Sequence, residues 1–552
     1  MTSYDVLFLH PPSFVEYGNK PWFPGPVART VAIFSPLSIM IPIGVLSIAE
    51  YLVKNGLRVK IVNLAELMLD NPSFNIAPFV KDLNPRVFAI DLHWAVHSNG
   101  AIKTAEICKQ LHPNSFVVLG GLTASYFSQE IMESFPFVDG IIRGEAEEPM
   151  VTLVDRLIKG RALDDVSGLT YRESNGRVRA NQRAPLRTEI DEYDYTNLSL
   201  IEPRNRLLNL TTGSRTVQVW NLPVCRGCTF NCATCGGSEY AYRKILMRER
   251  PSFRSARRMV EDFQKLDEQG INMIFMFQDC RIGTKSYYVN LLRSLHKEKW
   301  SKIEYVSLEL FNPVDDEFIR YLASNRPADA IGVMFSPESG SDEVRSAHGR
   351  NYRNEAILET NDKCAANSVP IDFHFMIALG QESPESLNEM WILWDRIMRR
   401  KTPRFFTSVD FGPMVILDPG SIAYENPAKF GYKMLYTTFN EMQQRLASPS
   451  WVDWINYETR YMTRDQLVES MFKATEIWIQ LFERYEIFDG ARAYGERMRL
   501  RLEKEITREV QNVLKNPDEE ARSERLKELD QIYQDPLLSY SYVQTSEETK
   551  TT

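Results

Sequence analysis

Four of the seven cysteines of this 552-residue chain lie close together, in the segment Cys225-Arg-Gly-Cys228-Thr-Phe-Asn-Cys232-Ala-Thr-Cys235. Cys228, Cys232 and Cys235 form a Cys-x3-Cys-x2-Cys pattern. Three thiolates in this pattern can hold three corners of a 4Fe–4S cluster and leave the fourth iron open to a substrate or cofactor. With Cys225 included, the same segment consists of two Cys-x2-Cys pairs, which are typical of a four-thiolate structural zinc site. The cysteine spacing by itself leaves both metal centres open.

The composition is that of an ordinary globular protein, with 43% hydrophobic and 25% charged residues. The cysteines are too few for a disulfide framework, and their clustering indicates a reducing compartment. A net charge of −8 argues against a broad nucleic-acid-binding surface. The segment MTSYDVLFLHPPS lacks the features of a secretory signal. We therefore expect a cytoplasmic protein that does not bind nucleic acid.

An apolar stretch at residues 31–53 is nearly long enough to cross a bilayer. Two prolines, a glycine and Glu50 interrupt it, so we expect no integral membrane span. The pattern predicts a loop followed by a helix from about Ile43 to Asn55, closed by Gly56.

The first 150 residues alternate strand and helix signals. Strands are predicted at residues 5–10, 58–64, 86–92, 116–119 and 140–143. This alternation indicates an α/β fold with a doubly wound, Rossmann-like parallel sheet. Ligands of such sheets bind at the carboxyl ends of the strands, which here are the loops after His10, after Asp91 and at Gly120.

The rest of the chain divides into four predicted parts. Residues 151–212 are predicted to form a linker with a hairpin around Asn175-Gly176. Residues 213–425 contain six further βα units, which predict an open or partial (β/α)6 barrel. Residues 426–540 are predicted to form a helical region, and the polar segment 541–552 a disordered tail.

A cysteine triplet after the first strand of a six-unit βα array resembles the radical S-adenosylmethionine (SAM) superfamily. Met334-Phe-Ser-Pro-Glu338-Ser339 is similar to that family's fourth-strand motif, whose glutamate usually holds the ribose. The segment around Gly380 is similar to its fifth-strand Gly-x-Pro-Gly-Glu-Thr element, and Asp418-Pro-Gly-Ser to its closing Pro-Gly-Thr. The resemblance implies a 4Fe–4S cluster on Cys228, Cys232 and Cys235 that cleaves SAM to a 5′-deoxyadenosyl radical.

Two departures from the family pattern concern the SAM site. Thr234 replaces the usual aromatic residue before the third cysteine, and the second-strand Gly-Gly-Glu is absent. Asp279 stands at the latter position and would accept hydrogen bonds from the methionine amino group, with the glycines after the cluster as the alternative. The SAM-binding residues that the resemblance implies are Phe230, Gly236, Gly237, Asp279, Glu338, Ser339 and Gly380.

The N-terminal part resembles the cobalamin-binding domain that precedes many radical enzymes, through the segments LFLHPPS, IPIGVLSIAEYLVKNG, VVLGGLTAS and VDGIIRGEAEEP. Asp91-Leu-His93 is similar to the start of the base-off motif Asp-x-His-x-x-Gly, but it follows the third predicted strand instead of the first. His93 is therefore either a cobalt ligand or a loop histidine bonded to its neighbours. The cobalamin-binding residues predicted on this basis are His10, Pro11, Pro12, Asp91, His93, Trp94, Ser98, Gly120, Gly121, Leu122, Thr123 and Glu145.

The combined resemblance implies a cobalamin-dependent radical SAM enzyme that methylates an unactivated carbon. A small-molecule, lipid or peptide substrate and an external electron donor of the flavodoxin or ferredoxin type are expected. Radical cyclisation, ring contraction or coupling without methyl transfer is the nearest alternative. A non-catalytic corrinoid-binding protein with a zinc knot is the alternative from another functional class. No residue is assigned a catalytic role beyond cofactor binding.

Overall fold

The computed structural model describes residues 4–26, 37–212 and 215–535. The first part of the apolar stretch and the predicted tail at residues 541–552 lie outside the described residues. The helix predicted after that stretch is present as α1 (Ile43–Lys54), and Gly56 has a φ of +81°. No helix in the described ranges combines the length and apolarity needed to cross a membrane.

The N-terminal sheet has eight strands in the order β7-β6-β5-β4-β3-β1-β2-β8. Strands β1 and β3 are apolar and wholly buried, as expected of parallel strands covered by helices on both faces. The strands are β1 (Val6–His10), β2 (Val59–Asn63), β3 (Val87–Asp91), β4 (Phe116–Gly120), β5 (Gly140–Ile142), β6 (Leu169–Arg172), β7 (Val178–Ala180) and β8 (Ile201–Glu202). The helices after α1 are α2 (Leu64–Asp70), α3 (Ile76–Lys81), α4 (Ser98–Leu111), α5 (Leu122–Tyr126), α6 (Ser128–Ser134), α7 (Glu147–Lys159) and α8 (Asn205–Leu208).

The predicted hairpin belongs to this sheet. Strands β6 and β7 flank Asn175-Gly176, and β6 pairs antiparallel with β5. Strand β8 adds to the opposite edge by pairing parallel with β2. Helix α7 also runs across the predicted division at residue 150. The segment after residue 150 therefore extends the first sheet at both edges, while the domain boundaries themselves stay predictions.

The second sheet has the order β17-β16-β15-β14-β13-β10-β9. Strands β10 and β13 to β17 are parallel, and β9 pairs antiparallel at the edge. This curved sheet of βα units confirms the partial (β/α)6 barrel. Its strands are β9 (Asn209–Thr212), β10 (Arg215–Pro223), β13 (Met273–Phe277), β14 (Tyr305–Leu310), β15 (Ala330–Glu338), β16 (Ile371–Ile377) and β17 (Thr407–Pro413), with the short pair β11 (Cys225–Arg226) and β12 (Ser252–Phe253). Its helices are α9 (Glu239–Ala241), α10 (Ala256–Glu268), α11 (Lys285–His296), α12 (Asp316–Ser324), α13 (Asp342–Ala347), α14 (Asn354–Ala366), α15 (Pro384–Met398) and α16 (Ile422–Glu425).

The barrel is hollow. Along β16, buried residues alternate with half-exposed ones, and the half-exposed Asp372 and His374 border an internal cavity. Met273, Phe275 and Phe277 of β13 show the same pattern. In closed (β/α)8 barrels the inward side chains fill the centre. Here they surround a space into which a ligand can enter.

The C-terminal region closes one side of this space. It contains β18 (Tyr432–Met434), β19 (Tyr457–Thr459), α17 (Phe439–Arg445), α18 (Arg464–Arg484), α19 (Gly490–Val513) and α20 (Glu519–Gln534). Trp478 of α18 donates its indole N–H to the Val409 carbonyl of β17 over 2.9 Å. This bond fixes α18 against the barrel, where Trp478 and Phe482 line the cavity.

Candidate active site

The cysteine loop begins where β10 ends. The amide of Phe230 donates to Cys228 Sγ over 3.4 Å, and the amide of Gly237 donates to Cys235 Sγ over 3.3 Å. Cys228, Cys232 and Cys235 form no disulfide. Backbone hydrogen bonds to cysteine sulfur are one of the ways in which proteins tune iron–sulfur clusters. The three thiols and their amide donors therefore fit a 4Fe–4S cluster.

Cys225 has a different environment. It is buried on β11, its thiol donates to Gln278 Oε1 over 2.8 Å, and it borders the large internal cavity. Cys228 borders a separate surface cavity of about 720 Å³. Among the described residues, no three potential ligands converge as they would around one metal ion. A zinc knot needs its sulfurs on a single ion, whereas a cubane cluster binds each sulfur through a different iron.

An ion pair at the carboxyl edge of the barrel connects Glu338 to the cysteine loop. Arg350 donates to Glu338 Oε1 over 3.0 Å, and its guanidinium lies 5.4 Å from the ring centre of Phe230 and 5.3 Å from that of Phe311. Glu338 is 7% exposed, and its Oε2 has no hydrogen-bond partner among the described residues. This free buried oxygen fits a ligand hydroxyl. Arg350 was not predicted, because it lies in a loop after α13.

Three strand ends at this edge have left-handed backbone: Gln278 with a φ of +69°, Glu338 with +70° and Ala378 with +79°. Non-glycine residues in this region are strained and concentrate at functional sites. Tyr457 supports the third of these ends, because its hydroxyl donates to the Ala378 carbonyl over 2.9 Å. Tyr457 is thus a buried supporting residue.

Asp279 already has several hydrogen-bond partners within the protein. Its carboxylate is 2.6 Å from a terminal nitrogen of Arg281, accepts the amide of Phe311 over 2.9 Å and caps the turn Cys280–Ile282. These contacts give Asp279 a structural role, and its role in SAM binding stays a prediction. The sequence could not show that Arg281 folds back onto it.

The other predicted SAM residues surround the same edge. Gly236 donates its amide to Asp418 over 3.0 Å, and burial raises the pKa of Asp418 to about 6. Ser339 is fully buried, with its hydroxyl 3.5 Å from Glu382. Gly380 packs against the carbonyl of Phe430, where a β-carbon would lie 2.2 Å from the oxygen. Gly380 is therefore required for close packing of the loop.

A cavity of about 810 Å³ joins the two sheets. The carboxyl ends of the N-terminal strands form one wall, and the inner face of the barrel forms the other. The predicted cobalamin residues that line it are Asp91, His93, Trp94, Gly120, Gly121, Leu122 and Glu145. The backbone of Gly121, with a φ of +110°, lies against that of His93, so that a side chain there would clash.

The remaining predicted cobalamin residues do not line this cavity. His10, Pro11, Pro12, Ser98 and Thr123 are all buried beneath the surrounding loops. Ser98 donates to the Ala95 carbonyl over 2.6 Å and Thr123 to the His93 carbonyl over 3.0 Å. The side chains of His10, Ser98 and Thr123 are hydrogen-bonded within the protein, and a role of these five residues in cobalamin binding stays a prediction.

His10 supports Asp91 from below. Its Nδ1 is 3.0 Å from Asp91 Oδ1, and its Nε2 is 3.0 Å from the Ser38 carbonyl oxygen. Both partners are hydrogen-bond acceptors. His93 faces the cavity, where burial lowers its pKa to about 4 and keeps the imidazole neutral, the form that binds metals. Whether His93 is a cobalt ligand stays a prediction.

A His10→Ala variant should bind cobalamin about tenfold more weakly, the value of one charge-assisted hydrogen bond. The reason is that Asp91 loses the partner that orients it toward the cavity. Spectrophotometric titration with hydroxocobalamin measures the effect. His112→Ala is the control, since His112 contacts Val80 at the far end of α4. Equal affinities of the two variants would contradict a supporting role for His10.

Arg226 connects the cysteine segment to the N-terminal sheet. It makes ion pairs with Glu145 and Glu147, and the Glu145 carboxylate is also 2.6 Å from Arg248. The guanidinium lies 4.6 Å from the ring centre of Tyr193. Arg226 also lines the cavity. This network fixes the cluster loop relative to the cobalamin-facing wall. Of its residues, sequence analysis had singled out only Glu145, as a cobalamin-binding residue.

Two family models match successive parts of the chain. A B12 binding domain model matches residues 29–154, and a Radical SAM superfamily model matches residues 222–390. The chain is a cobalamin-dependent radical SAM enzyme. Its cofactors are cobalamin, SAM and a 4Fe–4S cluster.

The enzyme is similar to curated proteins with different activities. An uncharacterized methyltransferase of Pyrococcus horikoshii, PH0819, is 27% identical over 322 residues, which cover 55% of this enzyme and 66% of the relative. An anaerobic magnesium-protoporphyrin IX monomethyl ester cyclase of Rubrivivax gelatinosus is 23% identical over 299 residues, which cover 53% of this enzyme and 51% of the relative. The enzyme thus spans about half to two thirds of the length of these relatives.

A solved structure shares the fold of the enzyme. The radical SAM methyltransferase TsrM of Kitasatospora setae, with tryptophan substrate and the SAM analogue aza-SAM bound, has a TM-score of 0.57 to the enzyme. The match covers 88% of the enzyme and 89% of TsrM at 15% identity. At this identity the likeness concerns the fold alone.

Proposed function

We propose that the enzyme methylates an unactivated carbon of a small-molecule, lipid or peptide substrate. One observation carries the proposal: a single cavity connects the cobalamin-facing wall to the interior of the radical SAM barrel. A substrate in this cavity would contact both halves of the protein. Such proximity is what a two-cofactor transfer to one carbon requires.

Each cofactor has a proposed set of residues. Cys228, Cys232 and Cys235 would hold the cluster. Glu338 would accept a ribose hydroxyl through its free Oε2, with Arg350 fixing its orientation. The cobalamin would lie against the wall formed by Asp91, His93, Trp94, Gly120, Gly121, Leu122 and Glu145.

When bound, the cluster and SAM supply a radical that removes substrate hydrogen, and cobalamin supplies the methyl group. The protein's own contribution is positioning and exclusion of water. Phe275, Phe277 and Met334 give the barrel side an apolar surface, and Trp478 with Phe482 closes it from α18. An apolar enclosed space protects a radical from solvent and holds the substrate beside it.

An external donor of the flavodoxin or ferredoxin type would deliver electrons to the cluster. The surface cavity of about 720 Å³ that Cys228 borders, together with Arg243 and Arg250, gives the donor a route to the loop. This side of the loop is separate from the substrate cavity, so that electron delivery and substrate binding need not compete.

The test is an anaerobic reaction after reconstitution with iron, sulfide and hydroxocobalamin. We expect both S-adenosylhomocysteine and 5′-deoxyadenosine to form, together with bound cobalamin. Formation of 5′-deoxyadenosine without S-adenosylhomocysteine would contradict methyl transfer and favour cyclisation, ring contraction or coupling. The likeness to the cyclase supports this alternative. If neither nucleoside forms and the protein contains bound zinc, the whole proposal is contradicted.

A further inference from the structure

A group of polar side chains lies on the inner wall of the barrel. It consists of Asp372 and His374 on β16 and Ser408 and Asp410 on β17, all of which line the cavity. In the strand register Asp372 lies beside Ser408 and His374 beside Asp410. We name these four residues the wall patch. Neither the cluster loop nor the cobalamin-facing wall includes any of them.

The wall patch lies below the strand ends where SAM is expected. His374 precedes Ala378, at the left-handed end of β16, by four residues. At about 3.3 Å per residue, this places it roughly 13 Å below that edge. A substrate anchored at the patch would therefore extend its other end toward the cofactors.

Two carboxyl groups belong to the patch, those of Asp372 and Asp410. Asp372 accepts a hydrogen bond from Ser408, and Asp410 accepts the amide of Phe411 over 2.8 Å. In the described part of the chain, neither makes an ion pair with lysine or arginine. Burial raises the pKa of both, that of Asp410 to about 7. Carboxyl groups in such apolar surroundings are unfavourable unless a ligand compensates them.

His374 adds a further unmatched polar group. No hydrogen bond to its ring is found among the described residues. Burial lowers its pKa to about 4, so the ring is neutral and offers one donor and one acceptor. The cavity surface around the patch is apolar, with Phe275, Met334 and Trp478 as examples. This combination suits a ligand with a hydrocarbon body and one polar head.

We propose that the wall patch binds a protonated amine of the substrate, with its hydrocarbon part along the apolar wall. The inference rests on the proposed function, because a substrate anchored at the patch would extend its other end toward the two proposed cofactor sites. An ammonium group donates up to three hydrogen bonds and compensates the carboxylates. An anionic head would face Asp372 and Asp410, and among the described residues that line the cavity the one arginine, Arg226, is paired with Glu145 and Glu147.

The test measures the binding of octylamine to the anaerobically purified full-length enzyme. Octan-1-ol and octanoate, which have the same chain length, are the neutral and anionic comparison ligands. Calorimetric titration at neutral pH should show octylamine binding at least about tenfold more tightly than octan-1-ol, as expected for a charge-assisted hydrogen bond. Octanoate should bind most weakly. Octan-1-ol binding as tightly as octylamine would overturn the proposal.

Asp372→Asn and Asp410→Asn should each reduce the preference for octylamine while leaving octan-1-ol binding unchanged. The unchanged alcohol affinity also shows that each variant is folded. Asp329→Asn is the matched control, since Asp329 is exposed outside the cavity. A preference that survives in both wall-patch variants would overturn the proposal.

The amine test requires no turnover, so its result is independent of the reaction type. An amine preference without any methylated product would contradict the proposed function but not the proposal that the wall patch binds an amine. Methylation of a natural substrate that lacks a basic nitrogen would contradict only the proposal about the wall patch.

Discussion

A Cys232→Ala variant is expected to purify without a stable 4Fe–4S cluster and to lose SAM cleavage by at least about 10³-fold, as when an essential member of a catalytic unit is removed. Cys232 is 7% exposed and central in the triplet. Its loop is held independently of the sulfur, because the amide of Ala233 donates to the His348 carbonyl over 3.1 Å and the amide of Ala423 to the Ala233 carbonyl over 2.9 Å. We therefore expect loss of the cluster without loss of the fold.

Iron and acid-labile sulfide analysis, the electron paramagnetic resonance of the reduced protein and 5′-deoxyadenosine formation measure this effect. Two control variants test whether loss of the cluster is specific to the cysteines of the triplet. Cys225→Ser should keep the cluster, because the Cys225 thiol is bonded to Gln278 on the cavity side. Cys364→Ala should also keep it, because Cys364 is a core thiol of α14. A cluster that survives in Cys232→Ala, or is lost in Cys225→Ser, would show that the ligand set is wrong.

The second large effect is expected for Arg226→Met, which should lower the free energy of unfolding by about 3–5 kcal/mol. The substitution leaves Glu147, which is 2% exposed, as a buried carboxylate without its cation. Removing one partner of a buried ion pair is more harmful than removing both. The double variant Arg226→Met/Glu147→Gln should therefore be more stable than Arg226→Met alone.

Urea unfolding of the protein without cofactors measures these differences, and Arg399→Met is the matched surface control. Arg399 pairs with Asp395 on the exposed face of α15, and the loss there should be below about 1 kcal/mol. Equal losses at the two arginines would contradict the role of Arg226.

The loss of stability caused by Arg226→Met should depend on pH. Burial by itself would raise the pKa of Glu147, but Arg226 and Ser47 outweigh it and hold the pKa below its usual value of 4.5. A carboxylate with a depressed pKa stabilises the fold above its unfolded pKa, and this contribution is lost as pH falls through the folded value. In Arg226→Met the effect of burial remains without its main compensation and should raise the pKa of Glu147 above 4.5. The difference in stability between wild type and variant should therefore begin to shrink above pH 4.5 and vanish as pH falls through the lowered pKa of the wild type.

The strands were predictable from sequence because their signals are local. Runs such as Val87–Asp91 and Met273–Phe277 are apolar, short and bounded by turn residues, so each is defined by its own few residues. Their order follows from the regular βα alternation, which yields parallel sheets with functional loops at one edge. The hairpin at Asn175-Gly176 was equally local. Its attachment to the first sheet depended on a partner strand far away in sequence.

Side-chain direction was the part of the cobalamin wall that sequence did not supply. The carboxyl end of β1 was expected at the correct edge of the sheet, and there the ring of His10 contacts Asp91 and Ser38, while Asp91 lines the cavity. His10 is the last residue of β1, where the alternation of faces along the strand ends and no longer indicates which side chains reach the cavity. The contact of Asp279 with Arg281 was missed for a related reason, since the two residues are near in sequence but their pairing depends on the fold.

The sequence by itself determined the cofactors of this enzyme, because the cysteine triplet, the later strand motifs and the cobalamin-domain segments together resemble a known family, although the cysteine spacing alone left the metal centre open. The tertiary structure alone decided what surrounds those cofactors. Arg350 reaches Glu338, Arg226 joins the two sheets, and Trp478 brings α18 to the barrel wall. These contacts join residues that are distant in the chain or lie in irregular loops. Only the packing of the folded elements creates such contacts, and no local pattern encodes them.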